Sequence, residues 1–534
     1  YGTGSIGSVK FDQKNLNTIW VGTGESANRN SSAWGDGIYK SVDGGKSFKN
    51  MGLENTHQIA EIEIHPNNSD IVFAAAVGHL WGYSGDRGLF RTNDGGNSWE
   101  KVLGGLPNDG KTGCTEIIFH PSNPDIIYAG AFTLFKSVDS GATWTKISEW
   151  YQGQSLPYVH ADQHNIIFID SNKILFTNDG GVFLTTDGGS TFSHRNTGFN
   201  TTQFYSTAIH PTSEYILGGT QDNGTWQLPN PGIQVGTEVT GGDGAFVHID
   251  QTDPSYQFSS YVYNYVYRST NGGNSFGLWY DLQDNGANAG FFVNPSVLDD
   301  TNKAFYATWS TTQILRQKNY TILSDHDFLD IPLGAGASAY KVSPYNSGVL
   351  FVGTAGGRIF KITDAHTDSY SYEDISPSDS NGYISSIDVG VDDNQILFTQ
   401  SNYGIESVYE TVSGGGSNAW AKAQGDLPDM PVRWGLYNRN NFNQVALATE
   451  VGVWVSDDIS ESEPVWYPSN DGLANVRVDM LAMNSNGYMS AGTHGRGMYT
   501  SPGFTSTAPL NAAFSLDKTS GQFPIDISFL DRST

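Results

Sequence analysis

The residue types best suited to chemistry form a few short groups. His160-Ala-Asp-Gln-His164 sets two imidazoles and a carboxylate at alternate positions. Residues two apart on a strand point the same way, so His160, Asp162 and His164 are expected to share one face. Such a set suits zinc, and the carboxylate-rich chain could also hold Ca or another divalent metal. Asp162, Asp179, Asp222 and Asp243 are four carboxylates in Gly- and Asn-rich surroundings. A converging pair would suit glycoside hydrolysis, one as acid and one as base or nucleophile. The competing reading of each is a turn residue, because Asp-Gly and Asn-Gly pairs also simply make turns. Trp34 and Trp81 lie in long loops, where exposed indoles favour ligand stacking. Tyr261, Tyr263, Tyr265 and Tyr267 alternate in a strand-like run and are expected to line one face, packing between sheets or stacking on sugar rings.

These groups need a scaffold, and a repeat supplies it. Ser41-Val-Asp-Gly-Gly-Lys-Ser-Phe48 returns at Thr92–Trp99, Ser137–Trp144 and Thr185–Phe192, with the aspartates 51, 45 and 48 residues apart. A fifth copy, Ser269–Phe276, carries Asn271 in place of Asp and follows after 84 residues, about two such units. A period of 40–50 residues points to repeated small sheets. In each copy the short Asp accepts backbone N–H groups, the glycines supply left-handed angles, and the last aromatic plugs between neighbouring sheets.

Each unit follows one plan. An inner strand ends near His-Pro, as at His65-Pro66 and His120-Pro121. A polar turn and a second apolar strand such as Ile71–Ala75 follow. A variable loop leads to a third strand, then the repeat motif and a fourth strand; the later units have lost the motif but keep the second and third strands. Inner strands are expected to open near residues 5, 57, 114, 160, 205, 245, 288, 338, 383, 431 and 477. The last unit lacks a fourth strand, which residues upstream of Tyr1 could supply. The fold class is therefore all-β: a multi-bladed β-propeller of four-stranded antiparallel blades over residues 1–502, in two rings or one large ring.

The repeated stretches resemble the Asp-box, Ser-x-Asp-x-Gly-x-Thr-Trp, of the BNR-repeat β-propellers. That group includes sialidases, sortilins and the tandem-propeller xyloglucanase-type glycoside hydrolases. The box implies fold, since in these families it lies on the outer rim and does no chemistry. Gly241-Gly-Asp-Gly-Ala-Phe-Val-His248 is similar to the stretch carrying the acid Asp of xyloglucanase-type enzymes, with one residue fewer between Asp243 and Phe246. The resemblance implies an acid role for Asp243. It leaves Asp179 and Asp36 as alternatives for the base, with Asp222 a further candidate. The Phe/Tyr-Arg-Ile-Pro motif of sialidases is absent, and so is the cysteine-rich module of sortilins. Stretches such as Gly78-His-Leu-Trp-Gly82 and Gly492-Thr-His-Gly-Arg496 resemble bacterial propeller proteins exported by the type nine secretion route.

In a propeller the loops between second and third strands, and those entering each blade, share one face. By that rule Trp34, His79, Trp81, Arg87, Asp222, Asn223, His494 and Arg496 are the candidate ligand contacts. After residues 503–510, read as a linker, residues 511–534 resemble the start of a PKD domain, an immunoglobulin-like sandwich.

Composition narrows the partners. With 28 Lys and Arg against 55 Asp and Glu the net charge is -27, which argues against nucleic acid. No apolar run is long enough to span a membrane. The lone Cys114 excludes an intrachain disulfide framework and is expected to be buried. The charge favours a soluble protein outside the cell, and the resemblance implies an extracellular or bacterial cell-surface protein that binds a glycan or an extracellular protein, with a structural surface scaffold as a third role. Attachment to the outer surface is expected through C-terminal domains beyond this sequence.

Overall fold

The computed structural model describes residues 4–27, 32–230, 232, 236–282, 289–322, 326–473 and 475–502, with two short strands beyond. The described residues fold as a series of small antiparallel sheets, ten of four strands and one of three. In each the strands pair in sequence order, inner to outer. The inner strands are Ile6–Phe11, Ile59–Ile64, Glu116–Phe119, Gln163–Phe168, Phe204–Ile209, Val247–Ile249, Ser296–Asp299, Ala337–Val342, Ile384–Val389, Val432–Asn438 and Val478–Met483. They define blades 1 to 11 in chain order. Ten open within three residues of the expected positions. The seventh opens at Ser296 rather than near 288. There Asn294 is buried and ties the entry down, accepting from Phe291 N–H at 2.9 Å and donating to Asn264 and the Thr308 carbonyl.

The second strand of most blades is a continuous buried run, such as Val72–Ala76, Ile216–Thr220 and Leu350–Thr354. Both faces of these strands are covered by neighbouring sheets, so they do not alternate polar and apolar. Core clusters accordingly straddle adjacent blades, as Phe73, Ile117, Phe135 and Trp144 do between blades 2 and 3. Cys114 belongs to that cluster, and burial pushes its thiol up to about 12.

In the five blades that carry it, the repeat motif closes the outer hairpin. Asp43 accepts from the Ser47 amide and hydroxyl at 2.9 and 2.6 Å, while Ser41 Oγ accepts from Gly45 N–H at 2.9 Å. Asp94, Asp139 and Asp187 repeat the arrangement. The closing aromatic reaches the preceding blade: the Trp99 indole donates to the Met51 carbonyl at 2.8 Å and meets Trp20 edge-on.

The chain forms two compact units, residues 1–199 and 200–534. The first holds blades 1 to 4, with inner strands packed side by side in order. The second holds blades 5 to 11 and closes on itself, because blade 11 packs against the inner strand of blade 5. Backbone and side chains both make the closure: Gln203 bridges His494, and Gly497 N–H donates to the Thr202 carbonyl at 3.0 Å. Thr207 shares a hydrogen bond with Ser490 at 2.8 Å, and Asn484 donates to the carbonyls of His210 and Ser213. Among the described residues blade 11 has three strands, Val478–Met483, Met489–Thr493 and Met498–Ser501.

Two strand expectations are corrected. The tyrosine run is not one strand, since only Tyr265–Ser269 is extended and Tyr263 has a left-handed φ of 53° in the turn before it. Strand Gln163–Phe168 begins after His160 and Asp162, and Asp162 is itself left-handed at φ 59°. His160, Asp162 and His164 therefore do not alternate along one strand. Most of the stretch read as linker and PKD start lies outside the described residues. Within it, Phe514–Leu516 pairs antiparallel with Phe529–Asp531.

Candidate ligand-binding loop faces

Antiparallel order within a blade sends the second-to-third loops and the blade-entry loops to the same end. In the first unit this end is aromatic. A short 3-10 turn, Glu54–Thr56, precedes the second blade and leaves His57 at φ 58°. That backbone turns the imidazole outward between two loops. His57 stacks on His79 with ring centroids 3.6 Å apart and planes 15° from parallel. On its other side it carries Trp34, at 4.9 Å and 26°. The column is anchored where Gly35 N–H donates to the His57 carbonyl at 2.6 Å. Trp34 is 68% exposed, and Trp81 and Tyr83 on the adjacent loop are 76% and 75% exposed. Burial and the neighbouring His79 hold the His57 pKa below its ordinary value, with Asp86 opposing.

Arg87, an expected ligand contact, holds a loop in place. Its guanidinium donates to the carbonyls of His79, Gly82 and Lys111, clamping the loop that presents Trp81. Asp36 is likewise engaged, accepting from the Tyr39 hydroxyl at 2.8 Å while its own N–H donates to Thr23 Oγ1. A further aromatic group was not anticipated from the sequence. Phe132, Trp150 and Tyr151 meet edge-to-face at 5.2 and 4.7 Å, from two connections of blade 3. Their residue types were legible, but the contact joins loops separated by an Asp-box hairpin.

Blade 4 carries the His/Asp group. His164 Nε2 pairs with Asp179 Oδ1 at 2.5 Å, and this bond raises the imidazole pKa. Burial first, then the Asp179 charge, raises the Asp162 carboxyl. The ring of His160 lies so close to Gly180 that a Cβ there would sit 2.4 Å from it, which explains the glycine. Among the described residues no three His, Cys, Asp or Glu side chains gather as a metal site. The group is an acid–base pair beside a second carboxylate.

The second unit presents a polar face where blades 5, 6 and 11 meet. Asp222 is left-handed at φ 57°, and its N–H donates to Asp243 Oδ1 at 3.1 Å. Burial raises the Asp243 carboxyl, and the Asp222 N–H opposes that shift. Asn223 closes the same turn through the Gln221 carbonyl. Tyr205 faces Asp243, Asp222 and Asp479, and burial together with these carboxylates pushes its hydroxyl pKa up. Asp479 joins Arg477, at 2.8 Å to Nε, with His494 Nδ1 at 3.1 Å. The Arg496 N–H caps the same turn on Thr493 Oγ1. Sequence reasoning found Asp222, Asp243 and His494 but missed Tyr205, Arg477 and Asp479. One signal was available: Arg477-Val-Asp479 opens blade 11 as His160-Ala-Asp162 opens blade 4. Asp36 and Asp179 belong to the first unit, and Asp222 and Asp243 to the second.

Comparison with known proteins agrees with this fold. Residues 49–216 match a family model described as the photosynthesis system II assembly factor YCF48, a BNR-repeat model. No curated protein sequence matches. Among solved structures, the GH74 xyloglucanase from Xanthomonas campestris aligns with a TM-score of 0.60 at 15% identity, covering 93% of this chain and 74% of that one. The GH74 enzyme of Niastella koreensis aligns at 14% identity and a TM-score of 0.46, covering 94% and 91%. At such identity the likeness concerns fold. No helix among the described residues is long and apolar enough to cross a membrane.

Proposed function

We propose that this Asp-box, BNR-type β-propeller chain captures glycan on the loop face of its first unit, as a secreted or cell-surface protein. The observation that carries the reading is Trp34, held flat on the His57–His79 stack with most of its ring in solvent. A rigid exposed indole backed by stacked rings offers a sugar a flat apolar face at little ordering cost. Trp81 and Tyr83 extend the platform, and Arg87 fixes the loop that bears Trp81. The net charge of -27 disfavours polyanionic ligands. The solved xyloglucanase with the same fold supports a glycan over a protein ligand.

A second reading, glycoside hydrolysis, is favoured by one observation. Asp243 has its carboxyl raised by burial, as a general acid requires. Its second carboxylate within the same unit would be Asp222 or Asp479.

Both readings meet one experiment. A panel of soluble polysaccharides is scored for retention by the protein and for reducing-end release. Retention lost in Trp34→Ala supports capture. Release abolished in Asp243→Asn with retention intact supports hydrolysis. Neither signal on any glycan rejects both.

A further inference from the structure

The His57–His79 pair does more than support Trp34. We propose that ligand capture at this platform is gated by protons, the stack holding Trp34 in place only while it carries less than two charges. The proposal rests on the capture reading above. Its basis is geometric: two imidazoles lie face to face at a centroid distance of 3.6 Å, too close for two imidazolium rings.

The surroundings make the pair responsive. From the loop between the second and third strands of blade 2, His79 and Asp86 face His57, and Asp86 is the carboxylate that opposes the effect of burial. Arg87 on that loop is spent on carbonyls, including that of His79. From the blade 1 loop, Trp34 covers the other face of His57, while the carboxylates of that loop are engaged elsewhere. Glu25 accepts from Ala33 N–H and Asp36 from Tyr39. From the blade 2 to blade 3 connection, Asp109 and Lys111 reach Arg87. Asp86, which also faces Lys101 on the outer strand of blade 2, thus stands against two potential imidazolium charges. When both rings protonate, they separate, and Trp34 loses the ring on which it lies. Restacking needs only the loss of a proton, so the device is reversible.

Two measurements on the intact chain test this. The first needs no ligand. The fluorescence difference between the wild type and Trp34→Phe is followed from about pH 8 to about pH 5. A reversible change centred in that range, absent from His57→Phe, is expected. No change would overturn the proposal whatever the fate of the glycan reading. The second uses the polysaccharide retained most strongly at neutral pH. Its affinity is expected to fall about tenfold on acidification, and His57→Phe is expected to bind equally at both ends. Equal pH dependence in wild type and His57→Phe would also overturn it. Absence of any retained polysaccharide rejects the capture reading alone, because the fluorescence result stands independently.

Discussion

Asp94 and Ser98 are joined twice, by the Ser98 amide at 2.9 Å and the Ser98 hydroxyl at 2.6 Å, both to the Asp94 carboxylate. These bonds and the Thr92 hydroxyl hold the Asp94 pKa down to about 2, and Asp139 and Asp187 share that value for the same reason. A carboxyl depressed in the fold stabilises it above the unfolded pKa and loses that contribution as pH falls through the folded one. The hairpins are therefore expected to persist to about pH 3. Asp94→Ala is expected to lower Tm by a few degrees at neutral pH, with the loss vanishing near pH 2, read by calorimetry across pH.

The fifth hairpin is a natural variant of the same device. Asn271 accepts the Ser275 amide at 3.0 Å but must donate to the Ser275 hydroxyl rather than accept from it. Charge-assisted acceptors are the stronger ones. Asn271→Asp should raise Tm at neutral pH, and the gain should disappear in strong acid. An unchanged Tm would mean that the charge adds nothing to this turn.

On the inner strands of the first unit, Glu116 is buried near Glu61, Glu63 and Lys10, and burial first, then Glu61, pushes its carboxyl up to about 8. A carboxyl raised in the fold costs stability as pH climbs from the unfolded value toward the folded one, because the folded state then binds the extra proton. Glu116→Gln should thus stabilise the protein by about 1–3 kcal/mol near pH 9 and by little near pH 4. Denaturant unfolding at the two pH values checks this. Equal stability at both would remove Glu116 as the titrating group.

Where the second unit closes, Thr207 of blade 5 shares a hydrogen bond with Ser490 of blade 11, beside the backbone bridge of Gln203 and His494. Thr207→Val leaves the Ser490 hydroxyl buried without that partner. The expected loss is about 1–2 kcal/mol. Hydrogen exchange should rise first in blades 5 and 11, since they form the seam. Exchange that rises evenly over all seven blades would contradict a local seam.

Much of this fold could be read from the sequence, because the Asp-box hairpin is a local structure whose partners lie within five residues. The positions of ten inner strands followed from the strand plan that the Asp-box blades set and the later blades keep. The division at residue 199 and the closure of blade 11 onto blade 5 did not, since they rest on contacts some 280 residues apart. The candidate sites were legible in the same proportion. Trp34, Trp81, Asp222, Asp243 and His494 stood out as loop residues. The clamp made by Arg87 was not legible, because its carbonyl partners come from the loop's own backbone and from the Lys111 turn. Asp479 was missed because only the seam brings it to Tyr205, and Tyr205 because it meets Asp222 and Asp243 only across folded loops. The stack of Trp34, His57 and His79 joins three segments, and a one-dimensional pattern holds no sign of it.

The central claim is capture at the aromatic platform, and affinity electrophoresis in polysaccharide-loaded gels tests it most directly. The wild type should be retarded by at least one soluble polysaccharide at neutral pH, and Trp34→Ala should lose about tenfold in affinity with Tm unchanged. Retardation that is the same in wild type and Trp34→Ala would contradict the account.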